Sequence, residues 1–124
     1  MIKVFIVRII SGKFKGLKLI KPKNFLIRPT SDKLKGAVFS IINSQKHSLS
    51  IKNANFLDLF SGSGSIGIEA LSREAGNVFM VDYNKNSINL IKENIKKLNL
   101  SSLDIKKVHI IKSTDKNLEN IKLP

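Results

Sequence analysis

An apolar segment that runs directly into a glycine-rich turn constrains the fold more than any other feature of this sequence. Residues 56–60 are apolar apart from Asp58, and residues 62–67 follow the pattern GxGxxG. The next apolar segment ends at Asp82, about twenty residues further on. A strand, a glycine turn that opens a helix, and an acidic residue after the next strand are typical of a parallel α/β sheet that binds a nucleotide cofactor.

The three glycines have separate roles in such a turn. Gly62 and Gly64 let the backbone turn sharply and approach a ligand without a Cβ clash, while Gly67 lets the following helix pack closely on the strand. Asp82 would lie at the carboxyl end of its strand, where a carboxylate can accept hydrogen bonds from both hydroxyls of a ribose. No Gly-Lys-Ser/Thr follows the glycines, so the turn is not a P-loop.

The position of Asp58 separates the two cofactors that suit this pattern, NAD and S-adenosylmethionine. In a dinucleotide site the pyrophosphate lies over the amino end of the helix, where a nearby carboxylate would repel it. Asp58 precedes Gly62 by four residues, and its carboxylate suits the ammonium group of a methionine moiety. We favour S-adenosylmethionine. The alternatives are NAD, or a structural role in which Asp58 caps a turn and Asp82 is solvated.

From residue 54 onward the apolar pattern alternates between strand and helix. Residues 56–60, 78–81 and 108–111 are predicted strands, and residues 66–73 are predicted to be helical. The order βαβαβ predicts a Rossmann-like α/β fold with a parallel sheet. A second helix is predicted where apolar residues recur at helical spacing, at Ile88, Ile91, Ile95 and Leu98.

The preceding residues predict a hairpin followed by a helix. Apolar residues in 6–10 and alternation in 17–21 predict two strands joined by a turn with a basic tip. Ser31 can cap a helix in which Asp32 lies favourably at the positive end. Of this helix we expect Leu34, Ala37, Val38, Ile41 and Ile42 to form the apolar face, and Lys33 and Lys35 to lie on the polar face.

The net charge of +13 is concentrated in the first part of the chain. Residues 1–53 hold twelve Lys and Arg against one acid, Asp32, whereas residues 54–124 hold ten against eight. A polar connector at residues 45–54 places the boundary between this basic arm, residues 1–53, and an α/β part, residues 54–124. The asymmetry favours a polyanionic partner such as nucleic acid. The alternative is a solvated, lysine-rich surface.

Composition excludes several other classes of site. The chain has no cysteine, so it forms neither disulfides nor thiolate metal sites, and its two isolated histidines, His47 and His109, argue against a zinc site. Lys3 and Arg8 interrupt the apolar residues 1–10, which are too short to span a bilayer and lack a signal-peptide cleavage site. We therefore expect a cytoplasmic protein with a buried first strand.

Taken together, these segments resemble the amino-terminal two-thirds of the RsmD-type methyltransferases, which act on guanine N2 of small-subunit ribosomal RNA. The ordered combination is far more specific than GxGxxG alone. The matching segments are Arg8-Ile9-Ile10-Ser11-Gly12-Lys13-Phe14-Lys15-Gly16 with Leu19, Arg28-Pro29-Thr30-Ser31-Asp32 with Ala37 and Phe39, and Asp58 through Gly67 with Glu69-Ala70-Leu71-Ser72-Arg73.

The resemblance implies an S-adenosylmethionine site in the α/β part, closed by the Thr30 region, and a basic arm that contacts ribosomal RNA. In the family an acidic residue near the adenine follows the third strand; either Thr114 or Asp115 takes that position here. The cofactor-site residues are then Thr30, Asp58, Ser61, Gly62, Ser63, Gly64, Gly67, Asp82, Thr114 and Asp115. The phosphate contacts expected of the arm are Arg8, Lys13, Lys15, Lys18 and Arg28, each of which could instead be a solvated surface residue.

Two departures from the family pattern bear on activity. Glu is usual in the family at the position of Asp82, and the aspartate side chain is shorter by one methylene. The family also carries an Asn/Asp-Pro-Pro-Tyr/Phe segment after a fourth strand, which holds the target amino group, and this sequence contains no Pro-Pro. Because methyl transfer depends on in-line positioning, we expect no catalytic residue in this chain and little activity from it alone.

The resemblance also implies an incomplete sheet. In the family the first strand is central, so without a fourth strand residues 56–60 would form an open apolar edge. Self-association through that edge, a second chain that supplies the missing half, or aggregation would each relieve it. Three functions follow as alternatives: a methyltransferase completed by another segment, a non-catalytic RNA-binding remnant, and half of an NAD-dependent dehydrogenase.

Overall fold

A computed structural model of the chain describes residues 7–21, 31–44 and 50–114. Two short strands and a helix precede an alternating series of strands and helices, as the apolar pattern predicts. In chain order the elements are β1 (Val7–Arg8), β2 (Lys18–Leu19), α1 (Asp32–Ile42), β3 (Asn55–Leu59), α2 (Ser65–Ser72), β4 (Asn77–Asp82), α3 (Lys85–Lys97), α4 (Ser102–Ile105) and β5 (Val108–Lys112).

A parallel sheet of order β3-β4-β5 forms the centre of the α/β part. Helices α1, α2 and α3 pack on one of its faces, because alternate side chains of each strand point to the same side. This arrangement confirms the predicted Rossmann-like, incomplete α/β fold. The bounds of β3, β4 and β5 lie within one residue of those predicted, whereas β1 and β2 each end two residues earlier than predicted. The side chains that point to the helix-covered face include Phe56, Val78, Met80, Val108 and Ile110.

The basic hairpin exists, but its tip packs on helix α2 instead of extending into solvent. Strands β1 and β2 pair antiparallel, with Val7 opposite Leu19. At the tip the Lys13 N–H donates to the Ser72 carbonyl at 2.7 Å, and the Phe14 N–H donates to Ser72 Oγ at 3.0 Å. The arm and the helix that follows the glycine turn are therefore joined by backbone hydrogen bonds.

Helix α1 begins as predicted but is rotated relative to the prediction. Ser31 Oγ accepts a hydrogen bond from the Leu34 N–H at 3.2 Å, which confirms the cap. The prediction of its buried face was wrong for Leu34 and Ile41, which are 55% and 61% exposed, whereas Lys35 and Phe39 are fully buried. Of the predicted apolar face, Ile42 is partly buried against the core. The helix is oriented by a buried ion pair and an aromatic contact, and not by its widest apolar stripe.

A buried lysine on α1 helps to determine which side of this helix faces the sheet. Lys35 Nζ donates to the Arg8 carbonyl and lies 3.5 Å from Glu69 Oε1, and both charged side chains are fully buried. Phe39 stacks on Phe56 with ring centroids 5.8 Å apart, and the Arg73 guanidinium lies over the Phe39 ring. Polar and apolar contacts thus turn the same side of α1 toward the sheet.

Burial lowers the pKa of the Lys35 ammonium below 10.5, although the Glu69 carboxylate opposes the shift. Between the lowered pKa and 10.5 the unfolded chain binds more protons, so the contribution of Lys35 to the free energy of unfolding rises with pH. We expect the difference in unfolding free energy between wild type and Lys35→Met to change in this direction across that window. Urea unfolding at a series of alkaline pH values measures it, and a difference independent of pH would contradict the burial of the Lys35 side chain.

Strand β3 is an edge of the sheet within the described residues, where only β4 pairs with it. Leu57, Leu59 and Phe60 are 41%, 49% and 64% exposed along this edge. The open apolar edge expected from the sequence is therefore present in the described part of the chain, and unpaired strand edges of this kind recruit further strands. No helix within residues 7–21, 31–44 and 50–114 is long and apolar enough to cross a membrane.

Candidate cofactor site

The glycine turn connects β3 to α2 at the carboxyl ends of the parallel strands, where α/β sheets bind ligands. Gly62 and Gly64 have φ values of 61° and 82°, in the left-handed region that glycine adopts without a steric cost. The Ser61 N–H donates to the Val81 carbonyl at 3.0 Å, and the Gly64 N–H donates to the Ser61 carbonyl at 2.9 Å. These bonds tie the turn to β4 and close it on itself.

Asp58 is positioned by the turn that follows it. Its Oδ2 accepts hydrogen bonds from Ser61 Oγ at 2.7 Å and from the Gly67 N–H at 3.1 Å. Burial raises the pKa of the Asp58 carboxyl above 3.8, the two hydrogen bonds oppose the shift, and the nearby charge of Asp82 raises it further. Asp58 Oδ1 accepts no hydrogen bond from the described residues, so the carboxylate keeps acceptor capacity for a cationic group.

Asp82 ends β4 on the strand next to Asp58 and is 5% exposed. One carboxylate oxygen accepts from the Gly62 N–H at 2.9 Å, and the other accepts from the Asn84 N–H at 2.9 Å. A carboxylate has about four acceptor positions, so two remain for further donors. The alternative in which Asp82 is merely solvated does not fit this burial.

The surroundings of two glycines bear on the roles predicted for them. A Cβ on Gly67 would lie 2.5 Å from Met80 Cγ and 2.8 Å from Met80 Sδ, so its absence allows α2 to pack closely on β4. A Cβ on Gly62 would meet nothing within 4 Å, so the turn is open at this position, where the Gly62 N–H bonds to Asp82. A ligand can approach the backbone there.

The end of β5 also reaches this region. The Ser113 N–H donates to the Asp82 carbonyl at 2.9 Å, which places the residues after β5 beside the second carboxylate. Thr114 follows it and is exposed. The other two expected contacts, Thr30 and Asp115, lie outside the described residues.

Sequence reasoning missed two polar residues at the turn. Asn94 is fully buried on α3 and donates through Nδ2 to the Ser63 carbonyl at 2.9 Å. Ser65 Oγ is buried at the start of α2 and has no hydrogen-bond partner among the described residues. Asn94 could have been found, because it interrupts the apolar stripe between Ile91 and Ile95, whereas nothing in the sequence marks Ser65.

The basic residues predicted to contact phosphate fall into two groups. Arg8 Nε is 2.9 Å from Asp32 Oδ2, and Lys13 Nζ is 2.6 Å from Asp104 Oδ2, a hydrogen bond that lowers the pKa of the Asp104 carboxyl. Lys15 and Lys18 are exposed and form no ion pair with a described residue. Arg28 lies outside the described residues. Within the described part of the chain, no group of His, Cys, Asp or Glu side chains could hold a metal ion.

Comparisons with known proteins agree with this geometry. The model of one protein family, described as conserved hypothetical protein 95, matches residues 7–122. An uncharacterized methylase of Rickettsia prowazekii is 36% identical over 124 aligned residues, covering 89% of this chain and 52% of the relative. Ribosomal RNA small subunit methyltransferase D of Buchnera aphidicola is 35% identical over 113 aligned residues, covering 90% of this chain and 52% of the relative.

A solved structure of a methyltransferase candidate from Escherichia coli superimposes with a TM-score of 0.70 at 26% identity, covering 89% of this chain and 54% of that chain. The chain therefore spans about half the length of the relatives that it matches, and not the two-thirds expected from the sequence.

Proposed function

This chain belongs to the RsmD-type methyltransferase family, whose sequence model covers residues 7–122, and from that membership we propose that it binds S-adenosylmethionine for methylation of small-subunit ribosomal RNA at guanine N2. The cofactor would lie against Asp58, Ser61 to Gly64 and Asp82. Gly67 supports the turn, and Thr30 with Thr114 or Asp115 would complete the site.

One observation carries the proposal of this cofactor. Two carboxylates on adjacent strands, Asp58 and Asp82, both accept hydrogen bonds from a glycine turn that is open at Gly62. S-adenosylmethionine offers an ammonium group for Asp58 and ribose hydroxyls for Asp82, and it carries no phosphate. The pyrophosphate of NAD would instead face a carboxylate, which disfavours the dehydrogenase alternative.

For the basic arm we propose contact with the ribosomal RNA backbone. Lys15 and Lys18 are the best placed of the described candidates, because both are exposed and unpaired by described residues. Arg8 and Lys13 would exchange their carboxylate partners for phosphate, at the cost of the ion pairs with Asp32 and Asp104. Contacts of this kind position RNA without specifying its sequence.

The two parts of the chain would bind different ligands. Residues 1–53 act as the RNA-contacting arm and residues 54–124 as the cofactor part; when bound, S-adenosylmethionine supplies the methyl group. The residues of this chain bind and orient the cofactor. Because the Asn/Asp-Pro-Pro-Tyr/Phe segment is absent from these 124 residues, methyl transfer would require that segment from further polypeptide, joined or separate.

Isothermal titration with S-adenosylmethionine tests the proposal, with Asp58→Asn as the informative variant. We expect cofactor affinity to fall about tenfold or more, because a hydrogen bond to a charged group contributes about 1.5 to 3 kcal/mol. Folding should survive. The raised pKa of Asp58 means that unfolding free energy falls as pH rises from 3.8 through that pKa, and the variant lacks this decline.

Asp104→Asn is the matched control, since it removes a largely buried carboxylate away from the glycine turn. Its cofactor affinity should equal that of wild type. Tighter binding of NAD than of S-adenosylmethionine, or equal binding by Asp58→Asn and wild type, would contradict the assignment.

A further inference from the structure

Asn94 joins the basic arm to the glycine turn through a single buried side chain. Its Oδ1 accepts from the Ile20 N–H at 2.6 Å, and its Nδ2 donates to the Ile20 carbonyl at 3.2 Å. The same Nδ2 donates to the Ser63 carbonyl at 2.9 Å. Both amide protons and the amide oxygen of Asn94 are therefore used, one side toward the arm and the other toward the turn.

From this geometry we infer that Asn94 is a positioning residue that couples RNA binding on the arm to cofactor binding at the glycine turn. The inference rests on the proposed function, because it concerns the two ligands proposed there. Because Asn94 is fully buried, its side chain would act through Ser63 and Ile20 and not by contact with either ligand. It fixes Ser63 in the turn and Ile20 in the arm with respect to the same rigid helix.

Ile20 and Ser63, the two residues that Asn94 joins, each lie beside residues proposed to bind a ligand. Ile20 directly follows β2 and lies between Lys18 and Lys21, two exposed lysines of the arm. Ser63 lies between Gly62 and Gly64, whose backbone conformation sets the shape of the turn. A ligand that orders either segment thus orders the segment across Asn94.

The proposed coupling has an entropic basis, because both ligands would order the same hydrogen-bonded region. Both segments lie outside regular secondary structure and are held by a few hydrogen bonds, so each loses its remaining conformational freedom when its ligand binds. If binding of one ligand orders the junction, the second ligand no longer bears that entropic cost, which gives positive coupling without a change of fold. Such coupling is reciprocal, so each ligand must tighten the other by the same factor.

Linked titrations measure this coupling. The affinity of the full chain for a short RNA hairpin is measured with and without saturating S-adenosylmethionine, and the reverse titration is made with and without RNA. We expect a common factor of about fivefold or more in wild type. In Asn94→Leu, which removes all three hydrogen bonds at similar volume, we expect the factor to fall to about one.

Asn89→Leu is the matched control, because Asn89 is an exposed asparagine on the same helix. It should keep the wild-type factor. Binding of both ligands to wild type without coupling, or an unchanged factor in Asn94→Leu, would overturn the inference and leave the proposed function standing. If wild type failed to bind the RNA hairpin or failed to bind S-adenosylmethionine, both the inference and the proposed function would be overturned.

A second measurement needs no variant that folds. Amide hydrogen exchange of the wild-type chain is recorded with the RNA hairpin alone, without cofactor. The Ser61 and Gly64 amides, whose hydrogen bonds close the turn, should exchange more slowly when RNA is bound, while the Lys107-bonded Val78 amide at the far end of β4 should not change. Unchanged exchange at the turn under saturating RNA would overturn the inference.

Discussion

Replacing Gly12 with alanine is expected to reduce the free energy of unfolding by about 3 to 5 kcal/mol, because the added methyl group combines backbone strain with overpacking. Gly12 has a φ of 89°, and its Cβ would lie 2.0 Å from the Ser72 carbonyl oxygen and 2.9 Å from the Arg73 nitrogen. These are backbone atoms at the end of a helix and have little freedom to move. The hairpin tip would have to leave α2.

Gly16→Ala isolates the backbone-strain part of this effect, so the difference between the two variants gives the overpacking part. Gly16 lies in the same turn with a φ of 88°, but a Cβ there would meet nothing within 4 Å. It should therefore lose only the roughly 1 to 2 kcal/mol of a left-handed alanine. Urea unfolding of the two variants followed by circular dichroism gives the comparison, and equal losses would show that the hairpin does not pack on α2 as described.

The α/β part was predictable from the sequence because its information is local. Apolar segments of strand length alternate with apolar residues at helical spacing, and a helix between consecutive strands returns the chain so that the strands run parallel. The same rule placed Asp58 and Asp82 together, since the carboxyl ends of parallel strands meet at one edge. Helix α4 escaped prediction because one turn is too short to show a period, although Ser101 Oγ caps it.

The orientation of α1 was not predictable in this way. Its apolar stripe through Leu34 and Ile41 is wider than the face that it buries, so periodicity selected the wrong side. The deciding contact joins Lys35 to Glu69, which is 34 positions further along the chain, and a local pattern carries no information about such a pair. A lysine on a helix is ordinarily exposed, and only the buried carboxylate reverses that expectation.

Asn94 shows a third situation, in which the residue was visible but its role was not. An amide within an apolar stripe signals a buried hydrogen-bonding partner, because burial of an unpaired amide is costly. Its partners, the backbone of Ile20 and Ser63, are set by how the arm folds back onto α3. The sequence therefore indicates that such a residue makes a contact, and tertiary structure decides with what.

Glu69 connects more of the molecule than any other charged side chain described above, and Glu69→Gln should be among the most destabilising single changes. Its Oε1 accepts from the Ile10 N–H at 2.8 Å, and its Oε2 accepts from the Ser11 N–H at 3.1 Å and from Arg73 Nε at 3.0 Å. Glutamine keeps one acceptor and turns an NH₂ group toward these donors. It also leaves the Lys35 ammonium buried without a carboxylate.

We expect Glu69→Gln to lose about 3 to 5 kcal/mol of unfolding free energy, the usual cost of removing one partner from a buried ion pair. Glu74→Gln is the matched control, because Glu74 pairs with Lys52 at 3.9 Å where both side chains are more than 60% exposed. That change should alter stability by less than about 1 kcal/mol. If urea unfolding gave the two variants similar stabilities, the arm would not be held to α2 by a buried carboxylate.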